Sequence, residues 1–119
     1  MQGNLFVISL SQPGTLTTNA VKRVSFPFGV TLTGGNCYTD NATGFDLDVG
    51  TASDTDAYID AHEVIGSTGT TIDIGISDLV NDTPIHIAAG TEIVITADFD
   101  ATGSADAANI DVHLFFREG

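Results

Sequence analysis

Positive charge is nearly missing from this chain. Three of its 119 residues are Lys or Arg, against sixteen Asp or Glu, for a formal net charge of −13 with neutral histidines. A surface so charged repels phosphate backbones and anionic lipid, so neither nucleic acid nor a membrane is an expected partner. Tryptophan is absent, and cysteine occurs once, as Cys37. A single thiol excludes an internal disulfide framework and a cysteine zinc site. The opening Met1-Gln2-Gly3-Asn4 has no basic residue, and the apolar stretch Leu5 to Leu10 is too short for a signal-sequence core or a membrane span. The expectation is a protein made in a cytoplasm and not exported on its own. Asn41-Ala42-Thr43 and Asn81-Asp82-Thr83 fit the glycosylation sequon but read as turn asparagines.

What is present favours strands. Hydrophobic residues make up 42% of the chain and mean hydropathy is +0.20, enough for a packed core and too much for wholesale disorder. The dominant period is two. Val24, Phe26, Phe28, Val30 and Leu32 alternate with Ser25, Pro27, Gly29 and Thr31. The same alternation runs through Phe45 to Val49, Ile72 to Ile76, Ile85 to Ile87, Ile93 to Phe99 and Ile110 to Phe116. Alternation of this kind sends one row of side chains into a core and the other into water. Leu5 to Leu10 adds a seventh strand, and a weaker one over Gly35 to Thr39 would make eight. Turn clusters such as Gln12-Pro13-Gly14 and Asn81-Asp82-Thr83-Pro84 punctuate them. From Asp54 to Ile65 the apolar residues instead fall at 57 or 58, 61, 64 and 65, a helical stripe. A short helix near 55–65 is predicted there, with Asp54 or Thr55 as N-cap and Gly66 as C-cap. Residues 1–119 therefore read as one all-β domain, an antiparallel β-sandwich of jelly-roll type with seven to eight strands and one short helix.

Charge is unevenly placed along the chain. Residues 1–39 contain no Asp or Glu and include Lys22 and Arg23, whereas residues 40–119 hold all sixteen acids and one base, Arg117. Interface cores are depleted in charge, so the acid-free segment is a candidate docking and assembly surface. The competing reading is that it supplies central strands covered by their neighbours. Lys22, Arg23, Phe26 and Phe28 lie in this segment. Phe115, facing opposite to Phe116, is a further candidate contact.

Catalytic chemistry is thin. There is no G-x-S-x-G elbow and no glycine-rich phosphate loop. Cys37 has no basic neighbour in sequence to activate it. His62, His86 and His113 lack the close H-x-H spacing of a double-sheet metal oxygenase, and each reads as a bystander imidazole. Asp46, Asp48, Asp54, Asp56 and Asp60 crowd together, and calcium binds clustered oxygens. An EF-hand loop begun at Asp54 fails, because Tyr58 and Ile65 occupy ligand positions. Solvated carboxylates are the preferred reading, with Asp54 and Asp56 the residual calcium candidates. No enzyme activity, metal or cofactor is expected.

Several runs nevertheless resemble a known group. Val24-Ser25-Phe26-Pro27-Phe28-Gly29-Val30-Thr31 is followed by Phe45-Asp46-Leu47-Asp48-Val49-Gly50-Thr51 and the acidic turn Asp54-Thr55-Asp56. Ile85-His86-Ile87-Ala88-Ala89-Gly90-Thr91-Glu92-Ile93 then reads as strand, turn and strand. This order, over about residues 20 to 116, is similar to jelly-roll head decoration (capsid cement) and auxiliary virion proteins of tailed bacteriophages. The resemblance implies a non-enzymatic domain, made in the host cytoplasm, that docks on the outer surface of an assembled capsid. Its implied partners are the major capsid protein and its own copies, often as a homotrimer. Such a protein would dock with Lys22 and Arg23 facing shell carboxylates and show its acidic remainder to water. The alternative is a tail-fibre or spike-tip module recognising a host surface glycan. That role calls for exposed aromatics, and the chain has no Trp and two Tyr.

Overall fold

A computed structural model describes residues 4–40, 45–64, 71–98 and 107–119. Among them are nine strands: β1 (Leu5–Thr15), β2 (Ala20–Val24), β3 (Val30–Asp40), β4 (Phe45–Gly50), β5 (Ile59–Val64), β6 (Ile72–Ile74), β7 (Ile85–Ile87), β8 (Ile93–Asp98) and β9 (Ala108–Glu118). The larger sheet has the order β1-β9-β3-β6, with β7 also paired to β3, and the smaller has the order β2-β8-β4-β5. Every pair is antiparallel.

The pairing is that of one long hairpin rolled up. β1 pairs with β9, β2 with β8, β3 with β6 and β7, and β4 with β5. Rolling then sets β9 beside β3 and β8 beside β4. The result is the expected jelly-roll sandwich. Its core fills the space between the sheets. Val30, Leu32 and Cys37 of β3 and Ile110, Val112, Leu114 and Phe116 of β9 face Phe45, Leu47 and Val49 of β4 and Ile93, Ile95 and Ala97 of β8. The alternation read from the sequence thus sets which residues go inside. Gly35 is required where β3 crosses β9, since a Cβ there would sit 2.1 Å from the carbonyl oxygen of His113.

Four local expectations are corrected. Residues 55–64 form no helix; the chain turns at 54–58 and continues as β5. The inward residues of β5 are Ile59, His62 and Val64, opposite Val49, Leu47 and Phe45. A bulge lengthens the first interval from two residues to three. At the bulge Ala61 takes φ of 50° and donates its N–H to Asp48 Oδ1 at 2.8 Å. The helical stripe does not survive this register: Ala61 turns outward at the bulge, and of the stripe's residues on β5 only Val64 is inward. The proposed helix end at Ile65 and cap at Gly66 lie outside the described residues, as do Phe99 and the Asn41 sequon.

The alternation from Val24 to Leu32 is not one strand. β2 ends at Val24 and β3 begins at Val30, and residues 25–29 carry the chain from the smaller sheet to the larger. Pro27 removes a ladder donor at the crossing. Likewise β6 stops at Ile74, and two 3-10 turns, Ile76–Asp78 and Val80–Asp82, lead to β7 and leave Ile76 exposed. Asn81, in the second sequon, takes φ of 64° in that turn, a conformation asparagine tolerates. The weak strand over 35–39 proves to be part of β3, which pairs with β9 on one side and, over 30–32 and 35–37, with β7 and β6 on the other.

Candidate functional site

The two outer sheet faces differ in charge. On the smaller sheet, Glu63, Asp46 and Asp98 stand directly opposite one another across β5, β4 and β8. Asp48 follows on the same face, opposite Thr96. Like charges side by side on a sheet repel, so this face is at ease only in water or against cations. Arg23 also lies here, opposite Val94, and its guanidinium is paired with exposed Glu92 at 2.8 Å.

The larger sheet presents a different surface. Rows across β1, β9 and β3 read Val7, Phe115 and Gly34; Ser9, His113 and Asn36; Ser11, Asp111 and Tyr38. Across these three strands the first two rows contain no acid; on β6, Asp73 stands opposite Asn36. Ser9 Oγ and His113 Nδ1 are hydrogen-bonded at 2.8 Å, and Ser11 Oγ donates to Asp111, so these polar groups bind each other along the sheet. Leu5, Val7 and Phe115 project from this surface with 80%, 58% and 37% of their area exposed. Val7 and Phe115 are paired neighbours, so together with Leu5 they form a continuous apolar patch.

The other predicted contact residues lie elsewhere. Lys22 stands in the inward register of β2, opposite Ile95, and its ammonium donates to the Ser9 carbonyl of β1 at 2.8 Å. Phe26 and Phe28, in the crossover, are half-buried in a ring cluster with Phe6 and Phe116, at centroid distances of 5.4 to 5.9 Å. Of the five, only Phe115 is on the apolar patch. Leu5 and Val7 were missed as contacts because Leu5 to Ile8 is an unbroken apolar run, and nothing local says which side is covered.

Asp54 and Asp56 do come together. Their side chains are hydrogen-bonded, and that bond raises the Asp54 carboxyl above its ordinary value, assisted by desolvation and the Asp56 charge. The turn holding them is tight: Thr51 and Ala57 both donate backbone N–H groups to the Asp54 carbonyl. Gly50 makes room for it, since a Cβ there would lie 2.1 Å from that oxygen. Among the described residues, no three His, Cys, Asp or Glu side chains are grouped to hold a metal ion.

The histidines serve separate places. His86 lies opposite Thr31, two outward positions along from the His113 and Asn36 row, so the two imidazoles do not meet. His62 faces inward at the side of the sandwich where β5 approaches the turn after β6. Its Nδ1 is 3.5 Å from Asp78 Oδ1, while Asp78 Oδ2 accepts the Gly75 N–H. His62 Nε2 is buried without a hydrogen-bond partner. Asp40, at the end of β3, accepts hydrogen bonds from Asn109 and Tyr38, which hold its carboxyl below the ordinary value.

Cys37 is fully buried, and its thiol is pushed up to about 12, first by burial and then by the negative charge of Asp78. Thiolate is the reactive form, and at pH 8 an ordinary cysteine has roughly a thousand times more of it. Maleimide labelling of the native protein should therefore be slower than that of urea-unfolded protein by about that factor. Equal rates would mean that solvent reaches Cys37 in the fold.

No family model matches this chain, and no curated protein matches it. Among solved structures, it is similar to a chain of the cyanophage Pam1 capsid asymmetric unit. The two are 21% identical with a TM-score of 0.46, over 99% of this chain and 87% of that one. Among the described residues no helix is long and apolar enough to cross a membrane.

Proposed function

We propose that this protein is a non-enzymatic structural component of a phage virion that decorates an assembled capsid, docking on capsomers and on its own copies. The observation that carries the reading is the opposition of its two faces. A domain that cements a shell needs one surface that can lose its water cheaply and another that stays hydrated. Burying Leu5, Val7 and Phe115 removes apolar area from water, at about 25 cal/mol per Å². The neighbouring serines, His113 and Asn36 carry no net negative charge to desolvate. The row Glu63-Asp46-Asp98 would be costly to bury and suits the outward side. The jelly-roll frame keeps the faces apart, because the two sheets point them in opposite directions.

In this reading the β1, β9 and β3 face meets the capsid or a neighbouring copy, and the acidic sheet faces solvent on the particle's outside. Repetition on a lattice supplies avidity, so each copy needs only a modest contact. A homotrimer is the assembly that the sequence resemblance suggests.

Quantitative mass spectrometry of purified virions tests the assignment by giving copies of this chain per major capsid subunit. A ratio near one, or a fixed simple fraction of it, is the expected outcome. A handful of copies per particle would remove decoration and favour a tail or vertex module recognising a surface glycan.

A further inference from the structure

A two-sheet sandwich has exposed strand edges, and each edge carries unpaired backbone groups able to add a strand from another molecule. The described residues show how most of these edges are blunted. β2 is five residues long and carries Lys22 and Arg23. β5 is bulged at Ala61 and bears Asp60 and Glu63. β6 and β7 have three residues each and are separated by the 3-10 turns. β1 differs. It is eleven residues long, LFVISLSQPGT, without a charged side chain, and among the described residues it pairs only with β9. Its one irregularity lies towards the end, between Gln12 and Thr15. From Leu5 to Gln12 it is a regular, uncharged strand with an open side.

The protection of β1 comes from the other sheet. Lys22 occupies an inward position on β2, where Ala20 and Val24 are its inward neighbours. Because β2 is outermost, the Lys22 side chain runs along the open side of the sandwich to reach Ser9 at the middle of β1. In a strand, the amide and carbonyl of one residue point the same way, and the direction alternates. The Ser9 carbonyl faces the open side, so the amides and carbonyls of Val7 and Ser11 face it too. A second copy's strand would need those groups, and it would meet an ammonium at the central one.

We infer that Lys22 is an edge guard: its ammonium, bound to the Ser9 carbonyl, stops β1 from pairing with β1 of a second copy. The occupant excluded is a second copy because two identical uncharged edges pair antiparallel about a two-fold axis, each supplying what the other lacks. The guard confines association to the sheet face, and lets a chain of this kind accumulate before assembly without zipping into extended sheets. It does not depend on the decoration role.

Lys22→Met and Lys22→Thr test it, the first keeping the aliphatic stem and the second a good strand former. Sedimentation velocity should show a concentration-dependent species of about twice the mass of the wild-type particle. Lys22→Arg, which keeps a cationic donor, should sediment as wild type. Adding Ser11→Pro to Lys22→Met removes an edge-facing amide without breaking the pairing to β9, and should abolish the new species. Two results would overturn the inference. One is folded Lys22→Met and Lys22→Thr proteins that sediment as wild type. The other is a larger species that survives Ser11→Pro, which would place the contact on the apolar face instead.

Discussion

Aspartate at both Val7 and Phe115 is expected to lower occupancy on capsids stripped of this protein by at least about a hundredfold. Val7 and Phe115 are paired neighbours at the centre of the apolar patch, with the chain's own backbone beneath them. Burial of each such side chain contributes roughly 1.5–3 kcal/mol, and a carboxylate in its place must be desolvated on docking. Two positions therefore cost more than the 2.7 kcal/mol or so that a hundredfold represents. Both side chains are exposed in the isolated molecule, so the fold should tolerate the change within about 1 kcal/mol. Binding to stripped particles and thermal melting of the free protein separate the two effects. Full occupancy by a folded double variant would remove this face from the docking reading. Aspartate at Val21, exposed on the acidic sheet opposite Thr96, is the matching control and should leave occupancy unchanged.

The second large effect is one residue away and of a different kind. Phe116→Ala should destabilise the fold by about 3–5 kcal/mol, a large share of a typical domain's stability. Phe116 is fully buried, stands opposite both Phe6 and Leu32 in the ladders, and lies 5.4 Å from the Phe26 ring. Removing it opens a cavity beneath the crossover and unseats Phe26, which in turn contacts Phe6 and Phe28. The midpoint of thermal unfolding should fall by on the order of 10–20 °C. Phe115→Ala, on the opposite side of the same strand, should cost a small fraction of this. Equal losses at the two positions would contradict the register of β9.

Much of the fold could be read from local pattern. Ile93 to Asp98 and Ile110 to Phe116 alternate with one apolar exception each, Val94 and Phe115, and the structure buries the residues that the pattern places inside. Strand after strand with no strong helical segment leaves few architectures besides a sandwich or barrel. Misreadings fell where a local signal has two physical sources. The spacing of Tyr58, Ala61 and Val64 suits a helix, but the pairing of β5 with β4 and the bulge at Ala61 leave Ala61 outside and Val64 inside. The alternating Phe26 and Phe28 suit a strand, but both pack at the crossover while the chain changes sheets.

The candidate site was less legible. The shortage of acid before residue 40 directed attention to that segment, and the structure divides its named residues among three places. Lys22 closes the side between β1 and β2, Arg23 is paired on the acidic face, and Phe26 and Phe28 line the core. A run of residues such as Ala20 to Val24 says that charge is present; it does not say that the outermost strand turns Lys22 inward and Arg23 outward.

Composition and local pattern settle an all-β chain, the inward and outward sides of its regular strands, a strong negative charge and a lone thiol without an activating neighbour. These follow from composition and from the two-residue period of a strand, both of which act over a few neighbouring residues. Tertiary structure alone decided which strands lie side by side. It set Asp46 between Asp98 and Glu63, Val7 beside Phe115, and Lys22 across from Ser9. Those partners are distant along the chain, and pairing in a rolled hairpin is chosen by closure of the whole sandwich. The apolar face, the acidic face and the guarded edge are products of that closure.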